Sequence, residues 1–405
     1  MVYANLLALQ MKISIHKAIK AHYFFYFLSL GVMLPYLAPY YKELVGANDA
    51  QVGLLLMIPP LVALVAQPLW SYVADILGNR PQLVAILAVI SAAAFFTVGL
   101  AQTLWVLAAL LVFWAMFWTP LASMVDSVTF QVLGRQERNN YSNLRIYGTI
   151  GFMVASFSLG AFFDHYGLNW MFPLFGVCII ISAIFIRTIP PSKRISRKHT
   201  NLAIKILFRN KNIRWFIFTG ILIAVANQMS YAFLSIYARD LGAKNAHLGW
   251  LWGLGTLAEA LTMPFVGRLI DRFGVKKLIV LGVLASVLRW AGTAFVPIWT
   301  GLLPLQLFHG FTFAFIYVGS VTFMDVSSPS IVRSSGQAVF GMLIMNVGRI
   351  IATPLSGEIA HLFGYRILYI SSTILAIVAM LLLALVINEP DQVEMDQENM
   401  FETDA

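Results

Sequence analysis

Three carboxylates and three guanidinium groups stand in stretches of this sequence that are otherwise apolar. They are Asp126, Glu259 and Asp325, and Arg145, Arg289 and Arg349, accompanied by His22 and His309. A charge near the middle of a bilayer costs about 2.5–3.5 kcal/mol even on the gentler insertion scales, so such groups face one another or a water-filled interior. Two kinds of chemistry suit the set. An Arg fork and a carboxylate can together grip the hydroxyls or the carboxylate of a small solute. A carboxyl that passes between wet and dry surroundings can also take up and release a proton. The plain alternative is that the charges pair off and only hold helices together.

Asp126 sits in "ASMVDSVTFQ" (122–131), with Ser123 one turn away on the same helix face. Arg145 follows after a short loop, which makes the two neighbours. Glu259, in the middle of "GTLAEALTMP", is the candidate for proton coupling, with His309, Arg289 and Asp325 as its companions. Covalent and metal chemistry find no support. There is no HExxH, no His-rich pair and no nucleotide loop, so an enzyme, a metal site and a cofactor are not expected. The single cysteine, Cys178, excludes an intrachain disulfide.

The elements that must position these groups are membrane helices. Hydrophobic residues make up 60% of the chain and charged residues 11%, against about a quarter charged in soluble domains. Apolar runs of about twenty residues, each able to cross a core of about 30 Å, recur throughout. The alternation of an outer-membrane barrel is absent. We place twelve spans near 20–42, 50–76, 81–101, 103–133, 141–163, 167–189, 213–238, 246–270, 277–297, 299–328, 334–362 and 365–388. The predicted organisation is a cytoplasmic N-terminus (1–19), a six-helix half (20–189), a basic linker (190–212), a second six-helix half (213–388) and an acidic tail (389–405). Translation starts at Met1 or Met11. The net charge of +9 implies no nucleic acid. Residues 187–214 hold nine Lys/Arg and no acid, which by the positive-inside rule puts this segment and both termini in the cytoplasm.

The two halves repeat. Asp75 and Gly78 correspond to Asp271 and Gly274; Gly151, Gly160 and Gly167 to Gly348, Gly357 and Gly364; "SMVD", ending at Asp126, to "TFMD", ending at Asp325. Copies of six spans point the same way across the membrane, as in one transporter architecture. The same offset carries Phe152 onto Arg349, so if one faces a cavity the other does too. An unpaired Arg349 would favour an anionic solute; pairing with Asp325 or Glu259 is the alternative.

"GRLIDRFGVKK" (267–277) resembles the turn signature of the major facilitator superfamily, carried here by Gly267, Asp271, Arg272 and Gly274. The first-half copy, "SYVADILGNR" (71–80), keeps Asp75, Gly78 and Arg80 but has Ser71 for the usual glycine and Ile76 for the usual basic residue. The aspartate of such a turn is available to a helix N-terminus or to an arginine across the interface between the halves, in contacts that break as the molecule changes state. Within the superfamily, "NLRIYGTIGF" (143–152), "ASVLRWAG" (285–292) and "LFHGFTF" (307–313) are similar to the lactose permease branch, including its phenylpropionate- and nucleoside-permease-like relatives.

That resemblance implies an all-α major facilitator fold of twelve helices around a central cavity. It implies that Asp126 and Arg145 bind solute hydroxyls, and that Phe152 stands where the permease sets a Trp against the sugar. His309 and Arg289 match the histidine and arginine of helices ten and nine. Thr312 replaces the acid expected one turn after His309, and Asn227, Gln228 and Ser230 stand where the seventh helix would carry aspartates. The function implied is secondary transport of a sugar, nucleoside or aromatic or sugar acid by alternating access with proton symport. A proton-coupled exporter of amphiphilic compounds and a non-transporting sensor are the alternatives. The partners are a small-molecule solute, protons and the lipid bilayer, with a monomer in a bacterial inner membrane as the working form.

Overall fold

The computed structural model describes residues 2–134, 140–191, 207–328, 340–341 and 343–389. Within them every element is helical, because a backbone crossing lipid satisfies its N–H and C=O groups internally. The chain begins with α1 (Val2–Met33), α2 (Leu37–Glu43), α3 (Asp49–Leu77), α4 (Arg80–Val98), α5 (Leu104–Trp118), α6 (Leu121–Leu133), α7 (Tyr141–Tyr166) and α8 (Met171–Arg187). A second set follows: α9 (Lys211–Asp240), α10 (Asn245–Thr262), α11 (Val266–Phe273), α12 (Val275–Ala294), α13 (Leu302–Gln306), α14 (Phe308–Ser327) and α15 (Gly348–Val386). Most of the predicted basic linker and all but the first residue of the acidic tail lie outside the described residues.

Among the described residues, ten helical passages are long and apolar enough to cross a membrane. Two features account for the difference from twelve expected spans. The 39-residue α15 is about twice as long as a bilayer is thick, and its backbone breaks at Gly364, where φ is 80° and ψ 169°. The passage from α10 to α11 is divided by a short 3₁₀ turn at Met263–Phe265, around Pro264, and the 18-residue α10, with Asn245, His247 and Glu259 in it, is long enough but not apolar enough to be counted.

The sequence repeat recurs in the backbone. Gly167, the repeat partner of Gly364, ends α7 with φ 89° and ψ 158°. Only glycine holds such a conformation without strain. The pair Gly160 and Gly357 likewise marks two close helix contacts. A methyl group on Gly160 would lie 2.4 Å from the Asn245 carbonyl, and one on Gly357 2.6 Å from the Asp49 carbonyl. Small residues of this kind let backbones approach in lipid, where packing replaces the hydrophobic effect as the adhesive.

Among the described residues, the hydrogen bonds and ion pairs that join the two helix sets gather at one end of the molecule. Asp164, near the end of α7, accepts from the Asn245 and Ala246 N–H groups that open α10, at 2.8 and 3.0 Å. Arg239 reaches both carboxylate oxygens of Glu43 at 2.9 Å. Asp49 accepts from Lys42 at 2.7 Å and from the Tyr365 hydroxyl at 2.8 Å, and Lys42 also donates to that hydroxyl. Just beneath, α3 passes α15 at Gly53 and Gly357, and α7 passes α10 at Ser156 and Gly249. The two sets are clasped here.

Candidate functional site

A cavity of about 460 Å³ opens among α9, α14 and the start of α15. Its polar wall is built by helical spacing. Asn227, Gln228 and Tyr231 lie on one face of α9, and Thr312, Tyr317 and Ser320 project from α14. Apolar side chains, among them Phe313, Ile316, Phe340 and Ile344, complete it. Arg349 lines the same cavity, delivered there by a π-type turn, Leu343–Val347, that leads into α15. Such turns re-aim side chains because they insert an extra residue into the helical repeat.

Behind this wall stands a chain of polar groups. The Arg289 side chain, buried on α12, donates to the Tyr231 hydroxyl at 2.5 Å and to the Gln306 side-chain carbonyl. Tyr231 lies 2.6 Å from His309 Nδ1, and an Arg289 Nη lies 3.1 Å from the same nitrogen. A guanidinium can only donate, so the Tyr231 oxygen accepts its hydrogen bond and the Tyr231 hydroxyl donates to His309. Nδ1 is therefore the accepting nitrogen and Nε2 carries the hydrogen, aimed at Glu259 Oε2 3.7 Å away. The fold brings Glu259, His309 and Arg289 to one place, and Tyr231 and Gln306 connect them. Sequence reasoning missed both connectors; Tyr231 stands one turn beyond Asn227 and Gln228, whose polarity is its only signal.

Asp325 does not join this group. It lies sixteen residues beyond His309 on α14, more than four turns away, so the two cannot meet. The alternative of Arg349 pairing with Asp325 or Glu259 is not what the described residues form. Among the described residues its side-chain partner is Gln228, whose carbonyl accepts from Nε at 3.2 Å.

In the first helix set, Asp126 accepts from the Tyr23 hydroxyl at 2.7 Å, and Tyr23 also lies 3.1 Å from the Thr129 hydroxyl. Arg145 lies flat on Phe27, with its guanidinium carbon 3.8 Å from the ring centre, and within 5.5 Å of the Tyr23 ring. The two charges are neighbours but not an ion pair: an O–H replaces the guanidinium at Asp126, and aromatic faces replace the carboxylate at Arg145. Asp126, Arg145 and Glu259 are not among the residues that line the cavity, whose polar wall comes from the second helix set.

Other sequence candidates have different places. Ser123 is exposed and bonds back to the Pro120 carbonyl at 3.1 Å. Phe152 is buried and is not among the residues lining the cavity, unlike its repeat partner Arg349; its carbonyl lies where α1 passes α7 at Gly31. The repeat preserves the fold of the two copies, while local helix phase decides which neighbour reaches the interior. His22 bonds the carbonyl and hydroxyl of Ser182, at 3.0 and 2.8 Å, and fastens α1 to α8. In the turn signature, Asp75 pairs with Arg80 inside its own turn, and Arg80 donates to Ser127 of α6. Contact across the halves is therefore not what Asp75 makes here. In the second copy, Asp271 and Arg272 are exposed, Gly267 has open space around it, and Gly274 lies against Glu389.

Known proteins share this architecture. The model of the MFS_1 like family matches residues 16–371. The maltose permease of Geobacillus stearothermophilus is 24% identical over 372 residues, 90% of this chain and 92% of that one. The xanthosine permease of Escherichia coli is 26% identical over 275 residues, 62% of this chain and 65% of that one. Among solved structures, the nucleoside transporter NupG superposes with a TM-score of 0.81 at 18% identity, covering 91% of this chain and 98% of that one. A bacterial homologue of the human lysosomal transporter Spinster, in an inward-facing conformation, gives 0.73 at 14% identity, covering 92% and 96%. These structural likenesses establish the fold.

Proposed function

Because the chain belongs to the MFS_1 like family, a family of membrane transporters, we propose that it is a secondary transporter that moves a small polar organic solute by alternating access with proton symport. The observation that carries the reading is the polar cavity of α9, α14 and α15, inside a bundle whose two helix sets are clasped, among the described residues, at one end. The clasp is made of hydrogen bonds and ion pairs partly open to water and of glycine contacts, which part without tearing a core. The positive-inside rule places the clasped end outside and the nine basic residues of 187–214 in the cytoplasm, so the cavity opens inward. The solute is drawn from sugars, nucleosides and aromatic or sugar acids, the host is a bacterial inner membrane and the working form is a monomer.

In this mechanism Asp126 and Arg145 meet the solute from one side, and Asn227 and Gln228 from the other. Glu259 loads and releases the proton, with His309 Nε2–H beside it. One proton entering down about 100 mV supplies about 2.3 kcal/mol, enough for roughly fifty-fold accumulation of a neutral solute. Uptake into proteoliposomes under an imposed pH gradient, screened over the three solute classes, tests the proposal. Flux that ignores both an uncoupler and Glu259→Gln would remove proton coupling from it.

A further inference from the structure

We infer that Arg349 and Gln228 form an anchor for the carboxylate of an anionic organic solute, an inference that rests on the transporter reading and narrows its solute class. The hydrogen bond between the two residues sets its direction. Arg349 donates through Nε to Oε1 of Gln228. The acceptor end of the Gln228 amide is thereby engaged, and what it still offers is its NH₂ group. Arg349 still offers the N–H groups of its two Nη atoms. The pair therefore presents a surface of donors, and a group made wholly of acceptors matches it best. A carboxylate has two acceptor oxygens at the spacing of the guanidinium fork, and the charge-assisted, two-pronged bond is stronger than one to a neutral hydroxyl. A sugar or nucleoside hydroxyl would bring a proton of its own to that surface.

Charge balance points the same way. Arg80 has Asp75 and Arg239 has Glu43, the buried Arg289 is enclosed by Gln306, Tyr231 and His309, and Arg145 lies on the Phe27 ring. Among the described residues, Arg349 has the neutral Gln228 alone as a side-chain partner, while Asp126 is engaged by Tyr23 and Glu259 stands by His309. While the cavity is open, water can solvate the guanidinium. When the halves close over a bound solute that water leaves, and a neutral cargo would strand an uncompensated cation. An anionic cargo removes the penalty in the step that occludes it. The body of the solute then lies against Ile316, Phe340 and Ile344 of the same cavity, which suits a ring or short hydrocarbon.

Isosteric pairs that differ in charge supply the test. The purified protein is titrated with 3-phenylpropionate against 3-phenylpropan-1-ol and with glucuronate against glucose, by calorimetry and thermal shift. At least one carboxylate is expected to bind about tenfold or more tightly than its neutral partner. Arg349→Gln should abolish that preference, Arg349→Lys should retain part of it, and Gln228→Ala should weaken it. Equal binding of both members of each pair overturns the inference, as does a preference unchanged in Arg349→Gln. Should Arg349→Gln fail to fold, Arg349→Lys and the wild-type comparison decide between these outcomes. Liposome uptake of the same compounds separates the two levels. Flux of neutral solutes alone keeps the transporter reading and removes the carboxylate anchor. Carboxylate binding without any flux keeps the anchor and removes the transporter reading.

Discussion

Tyr231 shows how a neutral hydroxyl can organise charged groups. It accepts a hydrogen bond from Arg289 and donates one to His309, which fixes the imidazole tautomer and leaves Nε2–H on the side of Glu259. Tyr231→Phe removes that intermediary while keeping the ring packed on Trp290 at a centroid distance of 5.0 Å. Proton-driven uptake is expected to fall about 100-fold, the order of a lost proton-transfer group, with counterflow exchange largely kept. Equal losses in both assays would show Tyr231 to be a solute contact instead. At Asp126, Tyr23 donates to one carboxylate oxygen and holds the group in place without neutralising its charge. Asp126→Asn is therefore expected to weaken solute binding by about tenfold without altering proton dependence, read from uptake measured across solute concentrations. The identities of Asp126, Arg145, Glu259, Arg289 and His309 were legible as expensive groups in apolar runs. Their partners were not, because Tyr23 and Tyr231 carry no charge to distinguish them among fifteen tyrosines.

At the scale of elements, the clasped end depends on helices passing at glycine. A methyl on Gly249 would lie 2.0 Å from the Ser156 carbonyl of α7, and one on Gly53 2.4 Å from the Thr353 carbonyl of α15. Backbone atoms cannot step aside as a flexible side chain can. Gly249→Val is expected to hold α7 and α10 apart and to slow transport about tenfold or more, with solute binding retained. Transport at the wild-type rate would mean that this crossing does not close during the cycle. Glycine spacing in the repeat pointed to these contacts, but which helix each glycine meets is a matter of packing.

For the whole molecule, the decisive property is sidedness. The sole cysteine, Cys178, is buried, so a cysteine introduced in place of Tyr317, which lines the cavity and is exposed, can be labelled over a low background. In this conformation a membrane-impermeant maleimide is expected to reach it from the side of the 187–214 segment and not from the side of the Glu43–Arg239 clasp. Comparing inside-out with right-side-out vesicles reads this directly. Equal labelling from both sides would contradict alternating access, and labelling from the clasp side alone would reverse the orientation.

The chain alone determined that it crosses a membrane repeatedly, that it repeats itself, and which superfamily it belongs to. Those properties are written locally, in runs of apolar residues about as long as a bilayer is thick and in glycines at a constant offset. Tertiary structure alone decided that Asp126 bonds Tyr23, that Arg145 lies on Phe27, that Asp325 stands apart from His309, and that Arg349 reaches the cavity while Phe152 is buried elsewhere. The physical reason is helix phase. A span apolar all round carries no stripe to say which face turns inward. The rotation of each helix is settled by packing against helices far away in sequence, and with it the partner of every charge.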